Sequence, residues 1–330
     1  MGVQKTKKQH IVPQCYLVRF SKDGHKIFAF DKTSQKSFAT NVRDIAQQHG
    51  FYDIPEEFSG DDGKQRVEHF LANLESVYSQ TLRELLNALT KGDDWSKFKE
   101  RLAFFIALQV ARTPEVRYRI DELFSLGEEG IKRQAKKDGY TDELPDLSHL
   151  NEYQPESAGV LHGILLTDPN LVYTISQDLL NHIWIVGKND TGMPLFTSDN
   201  PVIRAAHKPV PLIGSGGLAA EGIEIQIPLT PEYVLILYDR KHFRDNAGND
   251  GRVITMDVAD VAYCNTLQVS DCYRFVYSSD DAFKLARDVC NSHPEVCSPN
   301  HYGLNFGDEE DASVAESVFV EVQEQFQDSE

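Results

Sequence analysis

The sequence predicts an α+β fold in which a helical N-terminal half packs on a mainly antiparallel β-sheet from the C-terminal half. The first half contains two long segments in which apolar residues recur at three- and four-residue steps, as in amphipathic helices. The second half contains short apolar segments separated by turn residues, a pattern typical of strands. Strands joined by such short loops cannot be parallel neighbours, because a parallel crossover needs about a dozen residues.

The first elements are predicted from local patterns near the N-terminus. Pro13 suits the first turn of a short helix, where its missing N–H costs nothing. Three apolar side chains then share one face of that helix: Tyr16, Leu17 and Phe20. KIFAFDK (26–32) alternates as a strand does, and SFAT (37–40) is expected to pair with it as a hairpin. NVRDIAQQHG (41–50) is expected to form a short helix.

Two long helices are expected next, over about 64–90 and from about 95 onward. Thr113-Pro114 interrupts the second one, because proline removes a helix hydrogen bond and clashes with the preceding turn. The polar stretch 126–158 contains several glycines and is expected to be mostly loop.

The C-terminal half alternates between predicted helices and strands. The expected helices are 171–180, 257–270 and 281–290. The expected strands are 182–188, 194–198, 223–229, 232–239 and 273–279. We expect one domain over 10–300, helix-rich over 10–180 and sheet-rich over 181–290, between a basic tail (1–9) and an acidic tail (308–330).

The charge balance disfavours contact with anionic polymers and surfaces. The net charge is −18, from 33 Lys and Arg against 51 Asp and Glu. A strongly acidic protein repels nucleic acid and anionic membranes at long range, although a local cationic or metal-lined site can still bind a phosphate. Residues 308–330 contain nine acids and no Lys or Arg, so this tail is a candidate contact for a protein partner.

The cysteines and the apolar segments indicate a cytoplasmic protein. The five cysteines are odd in number and lack C-x-x-C spacing, which predicts free thiols in a reducing compartment. No signal-peptide pattern and no apolar run of membrane-spanning length is present, so no membrane contact is expected.

Arg112 breaks the apolar pattern of the second long helix. Together with Gln109 it falls on the face that carries Phe105. A guanidinium there needs a carboxylate, a phosphate or water, because an unpaired buried charge is costly. Glu75, at the edge of the apolar face of the preceding helix, is the nearest candidate. Arg112 therefore either forms a structural ion pair with Glu75 or recognises an anion in a pocket.

Two further places carry polar residues where chemistry is conceivable. In LFTSDNPV, residues 198–200 must turn at the end of a strand. Asp199 there either bonds its own backbone, as turn residues commonly do, or acts as a catalytic or metal-binding carboxylate. His10, in the pattern H-I-V-P, is either a packing residue or a general base.

These patterns occur together in a known family. The chain resembles the microbial domain-of-unknown-function family numbered 4238 over residues 9 to about 280. The most specific motifs are H-x-x-P-x-x-Y-L-x-x-F, Q-x-x-R-T-P and S-D-N-P, and their order is kept. The resemblance implies a bacterial, intracellular protein and names no activity. The family's pattern falls on His10, Pro13, Tyr16, Leu17, Phe20, Glu75, Gln109, Arg112, Pro114, Ser198, Asp199 and Pro201.

The function hypothesis is a polar pocket that joins these residues. Its catalytic candidates are His10, Glu75 and Asp199. Its substrate-binding candidates are Tyr16, Gln109, Arg112, Ser198 and Asn200. Asp199 and Glu75 would hold Mg²⁺ or Mn²⁺, which suits hydrolysis of a phosphodiester or nucleotide by a nuclease-like enzyme in antiviral defence or a toxin system. The alternatives are a non-catalytic interaction module with a structural polar network, and a sensor in which Arg112 binds a small anion without turnover.

Overall fold

A computed structural model describes residues 8–55, 65–137, 146, 157–208 and 217–298. The predicted acidic tail lies outside these residues, and so does the predicted basic tail apart from Lys8 and Gln9. Within the described ranges, no helix is long and apolar enough to cross a membrane. All five cysteines are free, as the sequence predicts.

The helices of the described ranges are concentrated in the first half of the chain. They are α1 (Gln14–Leu17), α2 (Arg66–Lys91), α3 (Lys99–Ala111), α4 (Pro114–Lys137), α5 (Ser157–Thr167), α6 (Pro169–Leu180), α7 (Val258–Asp271) and α8 (Lys284–Ser292). The predicted break at Thr113-Pro114 is confirmed: α3 ends at Ala111, and proline begins α4 where its missing N–H has no helical partner.

The strands form three sheets that are mostly antiparallel. The strands are β1 (Lys8–His10), β2 (Lys26–Asp31), β3 (Lys36–Asn41), β4 (Gln47–His49), β5 (Ile183–Asn189), β6 (Thr197–Ser198), β7 (Ile203–Ala206), β8 (Ile223–Thr230), β9 (Tyr233–Tyr238), β10 (Val253–Met256) and β11 (Phe275–Ser278). Their orders are β1-β4, β10-β5-β9-β8-β7 and β3-β2-β11-β6. Only the β10–β5 pair is parallel among the described strands, so the predicted α+β class is confirmed.

The sheets combine the two halves of the chain more closely than the predicted architecture does. The predicted hairpin β2–β3 is present, and β2 also pairs with β11 from the C-terminal half. A core cluster of buried apolar residues likewise contains residues of α1, α2 and α3 together with Trp184 of β5 and Leu235 of β9. Side chains from distant parts of the chain therefore meet where the helices cover the five-stranded sheet.

The prediction of a helix over 41–50 is wrong. A short 3₁₀ turn, Val42–Asp44, is followed by strand β4, which pairs with β1. Ala46 separates them with a left-handed backbone (φ 48°), and its carbonyl accepts a hydrogen bond from the Ile11 N–H at 2.8 Å. Pairing with the start of the chain thus overrides the local helical pattern.

The prediction of a loop over 126–158 is wrong for its first part. Helix α4 continues to Lys137, with a non-helical residue at Gly127 (φ 61°, ψ −179°). Glycine allows this conformation without a Cβ clash, so the glycines mark a kink in the helix and not its end.

Candidate functional site

His10 lies where β1 leads into α1, and the side chains that follow it anchor this junction in the core. Pro13 directly precedes α1, and its carbonyl accepts hydrogen bonds from the backbone N–H groups of Tyr16 and Leu17, both at 3.1 Å. These two side chains and Phe20 are fully buried. The backbone that carries His10 is therefore fixed by the turn at Pro13 and by the buried side chains that follow it.

Arg112 caps the C-terminus of α3 and joins several parts of the fold. Its side chain is only 2% exposed. Nη1 donates to Glu75 Oε1 at 2.8 Å, Nη2 to the His10 carbonyl at 2.6 Å, and Nε to the Tyr52 hydroxyl at 3.3 Å. The Tyr52 hydroxyl in turn donates to the Arg112 carbonyl at 2.9 Å. The ion pair that the sequence predicts between Arg112 and Glu75 is present, and it compensates the burial of the charge.

His10, Glu75 and Arg112 line one cavity of about 380 Å³, here called the polar cavity. Glu68 joins them from the first turns of α2. The remaining walls are mostly small or polar: Gln14, Cys15, Leu71, Ala72, Ser76 and Ser79. Imidazole and carboxyl groups thus face one space that is large enough for part of a small molecule.

Two ionisable groups of the polar cavity, His10 and Glu68, have shifted pKa values. Burial lowers the pKa of His10, Arg112 lowers it further, and Glu75 and the backbone of Arg43 oppose the shift. Burial raises the pKa of Glu68; Glu75 adds to this effect and Arg112 opposes it. The imidazole is therefore neutral at pH 7, and the Glu68 carboxyl holds its proton to a higher pH than usual.

A second cavity of about 310 Å³, here called the apolar cavity, shares Glu75 and Arg112 with the polar one. It lies between α2, α3 and α6. Its walls are mainly hydrophobic and aromatic, with Leu74, Val77, Tyr78, Phe104, Phe105, Leu108 and Tyr173 among them. The Glu75–Arg112 pair therefore stands between a polar and an apolar compartment.

Residues 198–200 form a turn that the backbone and α7 hold in place. Asp199 accepts hydrogen bonds from the backbone N–H groups of residues 273, 274 and 275 at 2.7, 2.9 and 2.9 Å. Burial raises its pKa to about 6, and the three N–H groups oppose that shift. Ser198 Oγ lies 2.7 Å from Gln268 Oε1, and Asn200 Nδ2 donates to the Asp271 carbonyl at 3.1 Å. The structure thus gives these residues the contacts of a turn.

The structure does not bring all the predicted site residues into one pocket. Asp199 lines a separate cavity over the four-stranded sheet. The Tyr16 hydroxyl donates to the Pro228 carbonyl at 2.7 Å and lies 2.8 Å from Thr197 Oγ1. Gln109 Nε2 donates to the Ile11 carbonyl at 3.1 Å. Neither Tyr16 nor Gln109 is among the residues that line the polar cavity.

The residues predicted to hold a metal do not fit a shared site. Glu75 and Asp199 line different cavities. Within the ranges that the structure describes, no group of three or more His, Cys, Asp or Glu side chains is placed to hold a metal ion.

Glu68 is the acidic residue of the polar cavity that the sequence analysis leaves out. It precedes Glu75 by seven residues on α2, which places both on the same helix face. This spacing could have identified it.

The comparison with protein families agrees with the resemblance of the motifs. The model of the family described as "Protein of unknown function (DUF4238)" matches residues 8–282, most of the chain. The chain belongs to this family. All the motif residues, from His10 to Pro201, lie within the matched segment. No curated protein and no solved structure matches the chain.

Proposed function

We propose that this DUF4238 protein is a hydrolase that uses the polar cavity for acid–base chemistry on a nucleotide. One observation carries the proposal: a single cavity holds a neutral imidazole, His10, a carboxyl group with a raised pKa, Glu68, and a second carboxyl group, Glu75, that is paired with Arg112. A neutral imidazole can act as a general base, and a carboxyl group that keeps its proton to a higher pH than usual can act as a general acid.

The roles follow from the contacts of each group. A neutral His10 can take a proton from water as the oxygen of that water attacks phosphorus. Glu68 can donate its proton to the leaving oxygen as the P–O bond breaks. Glu75, fixed by Arg112 at 2.8 Å, orients the attacking water, and Arg112 supplies positive charge at the cavity wall.

The apolar cavity favours a small substrate over a polymer. Its aromatic walls, among them Tyr78 and Phe104, suit a nucleobase, while the phosphate faces the polar cavity across Glu75 and Arg112. The net charge of −18 also opposes the approach of long RNA or DNA. The biological setting that we propose is a defence or toxin system in the bacterial cytoplasm.

The test is hydrolysis of nucleotides, RNA, DNA and a chromogenic phosphodiester by the full chain, with and without Mg²⁺ or Mn²⁺. We expect His10→Gln, Glu68→Gln and Glu75→Gln each to lower kcat by about 100-fold or more. The matched controls are His25→Gln and Glu232→Gln, since both residues are exposed and neither lines the cavity. Wild-type protein that leaves all substrates intact, or cavity variants as active as the controls, would refute the proposal.

The second candidate is a non-catalytic interaction or anion-sensing module, and the contacts of Arg112 favour it. Its Nε, Nη1 and Nη2 atoms each donate a hydrogen bond to a protein acceptor, as expected of a structural network. In this case Arg112→Ala lowers the free energy of unfolding by about 3–5 kcal/mol, as for a broken buried pair. The control is Arg83→Ala on the exposed face of α2, expected to change stability by less than about 0.5 kcal/mol.

The two candidates differ in turnover. A nucleotide that raises Tm without being hydrolysed indicates a sensor. Absence of both effects indicates an interaction module, for which we propose the acidic tail 308–330 as the contact with a protein partner. Removal of that tail would then abolish partner binding without changing Tm.

A further inference from the structure

A third cavity, of about 420 Å³, lies over the four-stranded sheet and is separate from the proposed active site. We call it the sheet cavity. Each of the three sequence motifs contributes one residue to its walls: Ile11 from H-I-V-P, Pro114 from R-T-P and Asp199 from S-D-N-P. All three motifs thus converge here, whereas only the first two meet at the polar cavity, and the proposed hydrolase leaves this meeting point unexplained.

The register of the paired strands leaves room for the sheet cavity. Ala29 on β2 is directly opposite Phe38 of β3 on one side and Tyr277 of β11 on the other. A methyl group therefore stands between two rings on one face of the sheet. Phe275, two residues before Tyr277 on the same strand, faces the same side and packs edge-on against Phe38 with centroids 6.3 Å apart.

One residue that lines the sheet cavity, Tyr277, has a buried hydroxyl whose O–H lacks an acceptor. The side chain of Tyr277 is 1% exposed, and its hydroxyl donates its proton to no acceptor within the part of the chain that the structure describes. The backbone of Ala46, in its left-handed conformation, interacts with the hydroxyl oxygen and leaves the O–H proton without an acceptor. A buried hydroxyl without an acceptor costs about 1–3 kcal/mol, so a ligand atom that accepts its proton would recover this energy.

The charged groups that line the sheet cavity have partners within the protein, and Asp44 at its rim lies 3.9 Å from Lys8 Nζ. Arg274 donates to both carboxylate oxygens of Asp31, from Nε at 3.2 Å and from Nη2 at 2.8 Å. Asp199 accepts hydrogen bonds from the backbone N–H groups of residues 273–275. The rim adds groups that can both donate and accept hydrogen bonds: the Thr40 hydroxyl and the amides of Gln47 and Gln48. Such walls favour an uncharged ring over a phosphate or a carboxylate.

We propose that the sheet cavity binds a neutral, planar heteroaromatic ring of the nucleobase class, stacked on Phe38 and in edge contact with Phe275. A ring nitrogen or carbonyl oxygen of the ligand accepts the hydrogen bond from Tyr277. Phe38 is 45% exposed on an edge strand, so the ring can enter from solvent without unfolding the sheet. This site does not depend on the hydrolase proposal, because none of His10, Glu68 and Glu75 contributes to it.

The test is isothermal titration of the full chain with adenosine, guanosine, cytidine and uridine, which carry the base without phosphate. At least one nucleoside is expected to bind. Phe38→Ala should weaken that binding by about tenfold or more, as loss of base stacking does. Tyr277→Phe should weaken it by about three- to tenfold through loss of one hydrogen bond. Because the O–H of Tyr277 has no acceptor, Tyr277→Phe should leave Tm nearly unchanged, whereas removal of a hydroxyl that donates a structural hydrogen bond would lower Tm clearly.

A variant that fills the sheet cavity tests the proposal independently, and a similar substitution on the opposite face of the sheet is its control. Ala29→Leu places a larger side chain between the rings and should weaken binding by more than about tenfold. Ala39→Leu adds the same atoms at an exposed position on the opposite face of β3 and should leave binding unchanged.

Three outcomes would overturn the proposal. They are no binding of any nucleoside, wild-type affinity in both Phe38→Ala and Tyr277→Phe, and binding that is lost on Phe104→Ala instead. The last outcome would assign the base to the apolar cavity and support the hydrolase proposal, so the two proposals can fail separately.

Discussion

His162 keeps a neutral imidazole in the core beside the C-terminus of α3. Its Nε2 lies 2.7 Å from the Ala111 carbonyl, so this nitrogen carries the proton and donates. Burial lowers the pKa of His162 to about 4, Arg117 and Arg112 lower it further, and the bond to Ala111 opposes the shift. The ring therefore holds α5 against the end of the helix that Arg112 caps.

This shift predicts a pH dependence of stability. The ordinary pKa is 6.5, so between about pH 4 and 6.5 the unfolded chain binds a proton that the folded chain excludes. The contribution is fully present above pH 6.5 and is lost as pH falls towards 4, on the order of 3 kcal/mol over this window.

His162→Gln keeps an N–H donor and removes the titration. We expect a shallower decline of the free energy of unfolding between pH 6.5 and 4, measured by urea denaturation at several pH values. His25→Gln, at an exposed position, should retain the wild-type slope. Equal slopes for wild type and His162→Gln would contradict the assigned pKa.

Asp199 organises the start of β11 through its carboxylate. Three backbone N–H groups converge on it at 2.7 to 2.9 Å, and its own N–H donates to the Phe275 carbonyl at 3.0 Å. Asp199→Ala leaves buried donors without an acceptor, each at about 1–3 kcal/mol, so we expect a loss of at least about 3 kcal/mol in the free energy of unfolding.

The measurement is urea denaturation together with activity per folded molecule. If Asp199 acts only in the turn, the folded fraction of Asp199→Ala keeps the hydrolysis rate of the wild type. A stable but inactive variant would restore the catalytic role that the sequence suggests for this residue.

At the scale of elements, helix α2 ends at a single glycine. Gly92 caps the helix with a left-handed backbone, φ 73°, and its N–H donates to the Leu89 carbonyl at 3.2 Å. A Cβ at this position would meet nothing within 4 Å, so only the backbone conformation opposes a side chain.

Gly92→Ala should therefore cost about 1–2 kcal/mol, the penalty of a left-handed residue with a Cβ. The matched control is Gly248→Ala, which likewise meets nothing within 4 Å and lacks a positive φ. Thermal unfolding of both variants checks this, and equal Tm values would show that strain at the cap is absorbed elsewhere.

The elements that the sequence predicts well are those in which the spacing of apolar residues stays regular over the whole element. The long helix over 64–90 is found as Arg66–Lys91, and the strand over 223–229 as Ile223–Thr230. The region 41–50 fails because a three-residue strand, β4, depends on pairing with β1 and not on its own residues. The four-residue strands β7 and β10 are missed for the same reason.

The prediction of site residues is limited by the arrangement of the elements in space, which the sequence pattern does not contain. Arg112 and Glu75 are found because a charge in an apolar stripe demands a nearby partner. Whether Asp199 faces the same cavity depends on how the sheet and α2 are placed in three dimensions, and no local pattern contains that information. In the sequence Tyr277 is an ordinary strand residue, and its position opposite Ala29 depends on the pairing of β11 with β2.

At the scale of the whole molecule, the N-terminal and C-terminal halves complete one another's sheets and core. Strand β2 has β3 on one side and β11 on the other, and α1 places Tyr16 against Thr197 and Pro228. Trp184 and Leu237 of the five-stranded sheet belong to the same apolar cluster as Leu82 of α2. A boundary near residue 180 would cut through all of these contacts.

We therefore predict that residues 1–180 alone do not fold. The fragment keeps β3 but loses β11, the other partner of β2, and it exposes the apolar residues that cover the five-stranded sheet. Its helices cannot offset that loss, because isolated helices are marginal in water. Circular dichroism of the fragment should show reduced helicity and no cooperative thermal transition, while the full chain unfolds in one step. Addition of residues 181–330 should restore helicity by supplying β11 and the five-stranded sheet. A fragment 1–180 that melts cooperatively would instead show that the helical half is a domain of its own, with Arg112 and its network contained within it.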